Sequence, residues 1–126
     1  VSGFSFDSNI IIDALSGYVQ ARTEIDRATE YNSRAWISRA VWMEVMSKGE
    51  GEGLKRAETL LSGFGIDELD AEIASRAAAL RRERPQLKAM DAIILATALT
   101  RGRVLVTRNT KDFPAEMPGI RVPYTL

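Results

Sequence analysis

The chain predicts an α/β domain in which a parallel sheet is covered by helices on both faces. Three observations carry this. Short apolar segments of strand type alternate with amphipathic helical segments along the whole chain. The length of 126 residues suits one domain, residues 1–126, and leaves no room for two. Hydrophobic residues make up 45% and charged residues 27%, proportions that allow a packed core.

Taken in order, Gly3 to Phe6 reads as a first strand and Ser8 to Leu15 as a helix with Ile11, Ile12 and Leu15 on one side, ended by Gly17. Tyr18, Ala21, Ile25 and Ala28 recur at helical spacing, which predicts a helix over Tyr18 to Tyr31. Ala35 to Ser38 is a second strand, and Ser38 can cap a helix over Arg39 to Lys48. Gly49 to Gly53 is a break, followed by a helix marked by Leu54, Ala57, Leu60 and Leu61 and closed near Gly63. A short strand is expected around Ile66. Asp70 to Arg84 is then a helix with Leu69, Ile73, Ala77 and Leu80 inward and Arg81, Arg82 and Glu83 outward, stopped by Pro85. Ala89 to Arg101 is an apolar helix ending at Gly102. Val104 to Val106 and Ile120 to Val122 are the last strands. In a parallel sheet of this kind, ligands sit beyond the carboxyl ends of the strands, so polar residues there are candidates for function.

Two absences narrow the chemistry. The chain has no Cys and no His. Disulfides, thiolate nucleophiles, the Ser–His–Asp triad, the usual zinc sites and imidazole-based ribonuclease chemistry are all excluded. What remains is carboxylates, hydroxyls, Lys, Arg, Tyr or a hard metal on oxygen ligands. Lys plus Arg equals Asp plus Glu at 17 each, which is not the profile of a chain that coats nucleic acid. The positives are 13 Arg and 4 Lys, and Arg binds phosphate with a planar fork of donors. No apolar run approaches the roughly 20 residues of a membrane helix, and no basic-then-apolar leader is visible, so a cytoplasmic protein without membrane contact is expected.

Four acids stand out of place. Asp7 follows the first strand directly and is also a good cap for the next helix. Asn9 and Asp13 lie four residues apart on that helix, and Asn9 can add a neutral oxygen. Glu44 sits among Val41, Trp42, Met43, Val45 and Met46, with Arg39 or Lys48 as ordinary salt-bridge partners. Asp91 opens the most apolar helix, again a capping position. Asp112 lies beyond the strand Val104 to Val106, in a segment that also reads as a surface turn. Each bland reading is the stronger one alone. Together they weaken, because all four acids can reach the same sheet edge. Clustered carboxylates repel, and a divalent cation removes that penalty.

These segments match a known pattern. Phe6-Asp7-Ser8-Asn9-Ile10-Ile11-Ile12, Ser38 to Val45 around Glu44, Met90-Asp91-Ala92-Ile93-Ile94-Leu95-Ala96-Thr97-Ala98 and Leu105 to Phe113 around Asp112 occur in order and nearly end to end. The chain thus resembles PIN-domain ribonucleases, most closely the VapC-type toxins of toxin–antitoxin pairs. One departure is Ser8, where the family often has Thr.

The resemblance implies a three-layer α/β/α PIN-like fold with a central parallel sheet of about five strands. It implies an endoribonuclease dependent on Mg2+ or Mn2+, with Asp7 and Asp91 as main metal ligands. Asp112 would help bind metal, and Glu44 would hold metal or take the proton from the attacking water. Asn9, Thr107 and Asn109 become supporting groups, and Arg108, Lys111 and Lys88 are candidates to hold the RNA backbone, with simple solubility as their ordinary reading. It further implies a homodimer and a cognate antitoxin as partner. Trp36, Trp42, Met43 and Met46 serve either that partner or the core, and at least half are expected in the core. Other readings stay open: a PIN-fold RNA-processing nuclease outside any toxin pair, a phosphatase with Asp7 as nucleophile, or a phosphoacceptor signalling or binding domain without nuclease activity.

Overall fold

The computed structural model describes residues 3–30 and 35–126. The elements run β1 (Phe4–Phe6), α1 (Ser8–Leu15), α2 (Val19–Glu30), β2 (Ala35–Ser38), α3 (Arg39–Met46), α4 (Gly51–Leu61), β3 (Gly65–Asp67), α5 (Ala71–Glu83), α6 (Ala89–Arg101), β4 (Val104–Val106) and β5 (Ile120–Arg121). The expected end of the second helix at Tyr31 lies outside the described residues. The strands form one five-stranded parallel sheet in the order β3-β2-β1-β4-β5. The chain moves outward from β1 through β2 to β3, then returns past its start to β4 and β5. Right-handed crossovers therefore put the connections before and after that return on opposite faces, which gives three layers. The reversal lies between β1 and β4, and that is where an open α/β sheet leaves its crevice.

The core forms on the sheet. Phe6, Ile10, Ile11, Ile37, Val41, Leu105, Val106 and Phe113 are fully buried. Each such side chain stabilises by about 1.5–3 kcal/mol relative to exposure. Phe6 meets Phe64 edge to face at 5.6 Å. A second apolar group, Ile73, Ala77, Leu87, Ala92 and Ala96, glues α5 to α6. Ser38 caps α3 as expected, its Oγ accepting from Val41 N–H at 3.2 Å. Gly102 ends α6 in the left-handed region, φ 69°, and donates back to Leu99.

Several expectations need correction. Leu69, expected inward, is 47% exposed. It precedes the Asp70 cap, so it lies off the helical face that carries Ile73 and Ala77. The glycine-rich break is shorter than expected, because α4 already begins at Gly51, where φ is +56°. Conversely, α3 stops at Met46, with Ser47 as its cap, rather than at Lys48, and β5 ends one residue before Val122. Of the four large side chains left between partner and core, Trp42 and Met46 pack on the core, while Met43 is half exposed. Trp36 is stacked under the Arg103 guanidinium, 3.8 Å from the ring centre. No helix among the described residues is long and apolar enough to cross a membrane.

Candidate active site

Two strand ends meet at the reversal point. Asp7 follows β1 and Thr107 follows β4, and the backbone N–H of Asp7 donates to the Val106 carbonyl. Asp7 is both cap and site residue. Its Oδ1 accepts from Ser8 N–H at 2.8 Å, while Oδ2 accepts from the Thr107 hydroxyl at 2.7 Å and from Asn9 Nδ2 at 3.3 Å. Only 3% of the residue is exposed. Burial pushes its carboxyl above the ordinary range, against the pull of the Thr107 and Ser8 hydrogen bonds, and Glu44 adds like charge.

Glu44 does not take the ordinary salt bridge. Arg39 instead grips Glu68 through two hydrogen bonds and lies over Trp42. Glu44 Oε1 accepts from the Ser8 hydroxyl at 3.0 Å, which ties α3 to the first turn of α1. The family's Thr-to-Ser departure thus keeps the one group that matters there, a hydroxyl. Asp91 is not a cap either. Lys88 holds the N-cap position of α6, and Asp91 lies in the first turn, half buried. Its carboxyl is pushed up to about 6, first by burial and then by the charges of Asp112, Asp7 and Glu44, with Lys88 pulling the other way. Asp112 is held from both sides. Asn109 Nδ2 donates to its Oδ2 at 2.9 Å, its own N–H donates to Asn109 Oδ1, and Arg84 donates to its carbonyl at 2.7 Å.

The acids named from the sequence therefore come from four different parts of the chain and feel one another's charge at Asp91. Among the described residues, no three acidic side chains are gathered tightly enough to enclose an ion as their rotamers stand. They are coupled by field rather than by shared contact. The donor set nonetheless fits a hard divalent cation. Every candidate ligand is an oxygen, the donor type that a hard divalent cation takes.

Two supporting assignments divide. Asn9, Thr107 and Asn109 do gather at the site, linked to Asp7 or Asp112. Lys111 is exposed at its edge. Arg108 needs correction as a backbone-holding cation, because its guanidinium is committed elsewhere. It makes a bidentate pair with Asp13 at 2.7 and 3.0 Å. Asp13, expected beside Asn9, is buried by this pairing and also accepts from the Tyr124 hydroxyl at 2.7 Å. Sequence reasoning missed Tyr124 and Arg84. Neither stands in a motif, and each reaches the site region from far along the chain. A separate groove of about 670 Å³ lies between α2 and α4, lined by Leu15, Ile25, Leu60 and Phe64 with Arg22, Lys55, Arg56 and Glu52 at its margin. None of the four acids lines it.

Known proteins share this pattern. A PIN domain family model matches residues 5–115, a span that contains all four acids. Ribonuclease VapC35 of Mycobacterium tuberculosis is 38% identical over 92 residues, 73% of this chain and 63% of the relative. The chain thus spans less than two thirds of that relative's length. A toxin–antitoxin complex from Klebsiella pneumoniae contains a chain 41% identical, with TM-score 0.87, covering 98% of this chain and 100% of that one. DNA-bound VapBC from Salmonella typhimurium is similar at 25% identity and TM-score 0.75, over 96% of each chain. VapBC2 from Rickettsia felis, at 22% identity and TM-score 0.78 over 93% and 94%, is alike in fold.

Proposed function

Because the chain belongs to the PIN-domain family, we propose that it is a metal-dependent endoribonuclease and the toxin of a toxin–antitoxin pair. The observation that carries the nuclease reading is Asp91. Its carboxyl is pushed up to about 6, first by burial and then by the like charges of Asp112, Asp7 and Glu44, a repulsion that a divalent cation would offset. Asp7, Asp91 and Asp112 would hold Mg2+ or Mn2+, with Glu44 as a further ligand or as the base. When bound, the ion offsets the repulsion among the acids and supplies Lewis-acid activation for hydrolysis of a phosphodiester.

The rest is the work of the chain's own residues. Thr107 and Ser8 fix Asp7, and the Ser8 hydroxyl also fixes Glu44. Glu44 so placed can take the proton from the attacking water. Asn109 sets Asp112, and exposed Lys111 is available to the RNA backbone. The toxin reading is supported by the Klebsiella pneumoniae relative, which was solved as a toxin–antitoxin complex. The groove between α2 and α4 offers such a partner an apolar floor with a charged margin of Arg22, Arg56 and the Lys55–Glu52 pair.

The test is cleavage of RNA by the purified, partner-free protein with Mg2+, with Mn2+ and with EDTA, beside Asp91→Asn. EDTA is expected to abolish cleavage. Asp91→Asn keeps the volume and removes the charge. Losing several kcal/mol of transition-state stabilisation corresponds to about 10³-fold in kcat. Metal-dependent turnover retained in Asp91→Asn would refute the assignment.

A further inference from the structure

The segment after β4 has to deliver two different groups to one place. Thr107 must reach Asp7, and Asp112 must stand beside Asp91. Arg108 lies between Thr107 and Asn109 and sends its side chain to other partners. Its guanidinium grips Asp13 on α1 through two hydrogen bonds, at 2.7 and 3.0 Å. Its backbone N–H donates to Asn9 Oδ1 at 3.2 Å. Tyr124, beyond β5, closes the group by donating to Asp13 Oδ2 at 2.7 Å. Three parts of the chain that are remote in sequence are pinned at this point.

The geometry gives this group a consequence for the site. The helix that carries Asp13 begins at the Asp7 cap and also holds Ser8 and Asn9. The loop that carries Arg108 begins with Thr107 and ends at Asp112. A shift between helix and loop therefore changes the spacing of Asp7 from Asp112. Asp13 is only 5% exposed, and the planar guanidinium fork fixes direction as well as distance. Tyr124 lies outside the span that the family model matches, residues 5–115.

We infer that Asp13, Arg108 and Tyr124 form a latch that positions the post-β4 loop against α1, so that Thr107 and Asp112 stand at the right distance from Asp7. This rests on the reading of the four acids as the metal site of a nuclease. The three are positioning residues and act through the acids. Outer partners of metal ligands, when removed, cost about 10–100-fold in metal affinity or activity.

The test compares full-length wild-type protein, Arg108→Lys and Tyr124→Phe, with Asp91→Asn alongside. Arg108→Lys keeps the charge and loses the fork. Tyr124→Phe removes one hydroxyl and keeps the ring, so it carries the test if Arg108→Lys does not fold. Mn2+ affinity is measured by calorimetry without RNA, kcat and KM on a fluorogenic RNA strand, and folding by thermal melting. Arg108→Lys is expected to weaken Mn2+ binding about tenfold and to lower kcat with KM unchanged, with part of the loss restored by excess Mn2+. Tyr124→Phe is expected to show a smaller loss in the same direction. If both folded variants melt earlier yet bind Mn2+ and turn over RNA like wild type, the latch is merely structural and the inference is overturned while the nuclease reading stands. If wild type itself neither binds Mn2+ nor cleaves RNA, the nuclease reading falls, and the latch role with it.

Discussion

Asp67 and Asp7 are the same residue type at the same edge of the same sheet. Asp67 closes β3, Asp7 follows β1, and both are almost wholly buried. Their surroundings are opposite. Asp67 receives a bidentate grip from Arg103 at 2.7 and 2.8 Å, and Arg103 in turn stacks on Trp36. Asp7 receives hydrogen bonds from neutral donors, and the charge acting on it is another acid, Glu44. A buried acid with its own cation is a piece of architecture. A buried acid kept among other acids costs stability, and it persists where something outside the chain supplies the charge. The difference separates the scaffold from the site more clearly than burial does.

That contrast can be broken from either side. The largest stability effect is expected at the paired acid. Arg103→Met leaves Asp67 buried without its cation, and about 3–5 kcal/mol of stability should be lost in urea unfolding, while cleavage per folded molecule is unchanged. A fall in intrinsic cleavage instead would mean that the Asp67 side of the sheet also belongs to the site. Next comes the packing under the same ion pair. A Cβ at Gly65 would stand 2.5 Å from the Trp36 ring, so Gly65→Ala forces the stacked ring to move. Overpacking of this kind costs about 1–3 kcal/mol, read as a lower urea midpoint.

The smallest effect belongs to the unpaired acids and has the opposite sense. In metal-free protein, Asp91 titrates near 6 when folded, against an ordinary 3.8. The folded state then binds the proton more tightly, so stability rises as pH falls from 7 through 6 and levels off below 3.8. Because the residue is half exposed, screening limits the gain to about 1 kcal/mol. Glu24, held low by Arg121, opposes this only below its ordinary 4.5. Chemical denaturation at pH 7 and pH 5 should show the gain, to which Asp7, also raised by burial, adds in the same direction, and Asp91→Asn should lower it. A variant with the same pH slope as wild type would show that Asp91 is not the strained group.

Much of this was legible in the residues. Among the described residues the apolar patterning placed the eleven elements within a few residues, the helix end at Tyr31 aside, and the four acids were marked by their positions beside strand ends or within apolar helices. Leu69 misled because periodicity does not show where a helix begins. Arg108 misled for a different reason. Asp13 shares a helical face with Asn9 in the sequence pattern, yet which neighbour it meets depends on the loop after β4.

The sequence by itself determined the alternation of strands and helices, the absence of imidazole and thiol, and the set of acids available for chemistry. These are local properties, set by side-chain type and spacing. Only the tertiary structure decided which acids stay unpaired. Asp13 and Arg108 lie 95 residues apart in the chain, and Asp67 and Arg103 lie 36 apart. Charge pairing is a short-range contact in space with no period along the chain. The sheet order β3-β2-β1-β4-β5, which puts β4 against β1, gives Asp13 its cation and leaves Asp7 and Asp91 in the company of other acids.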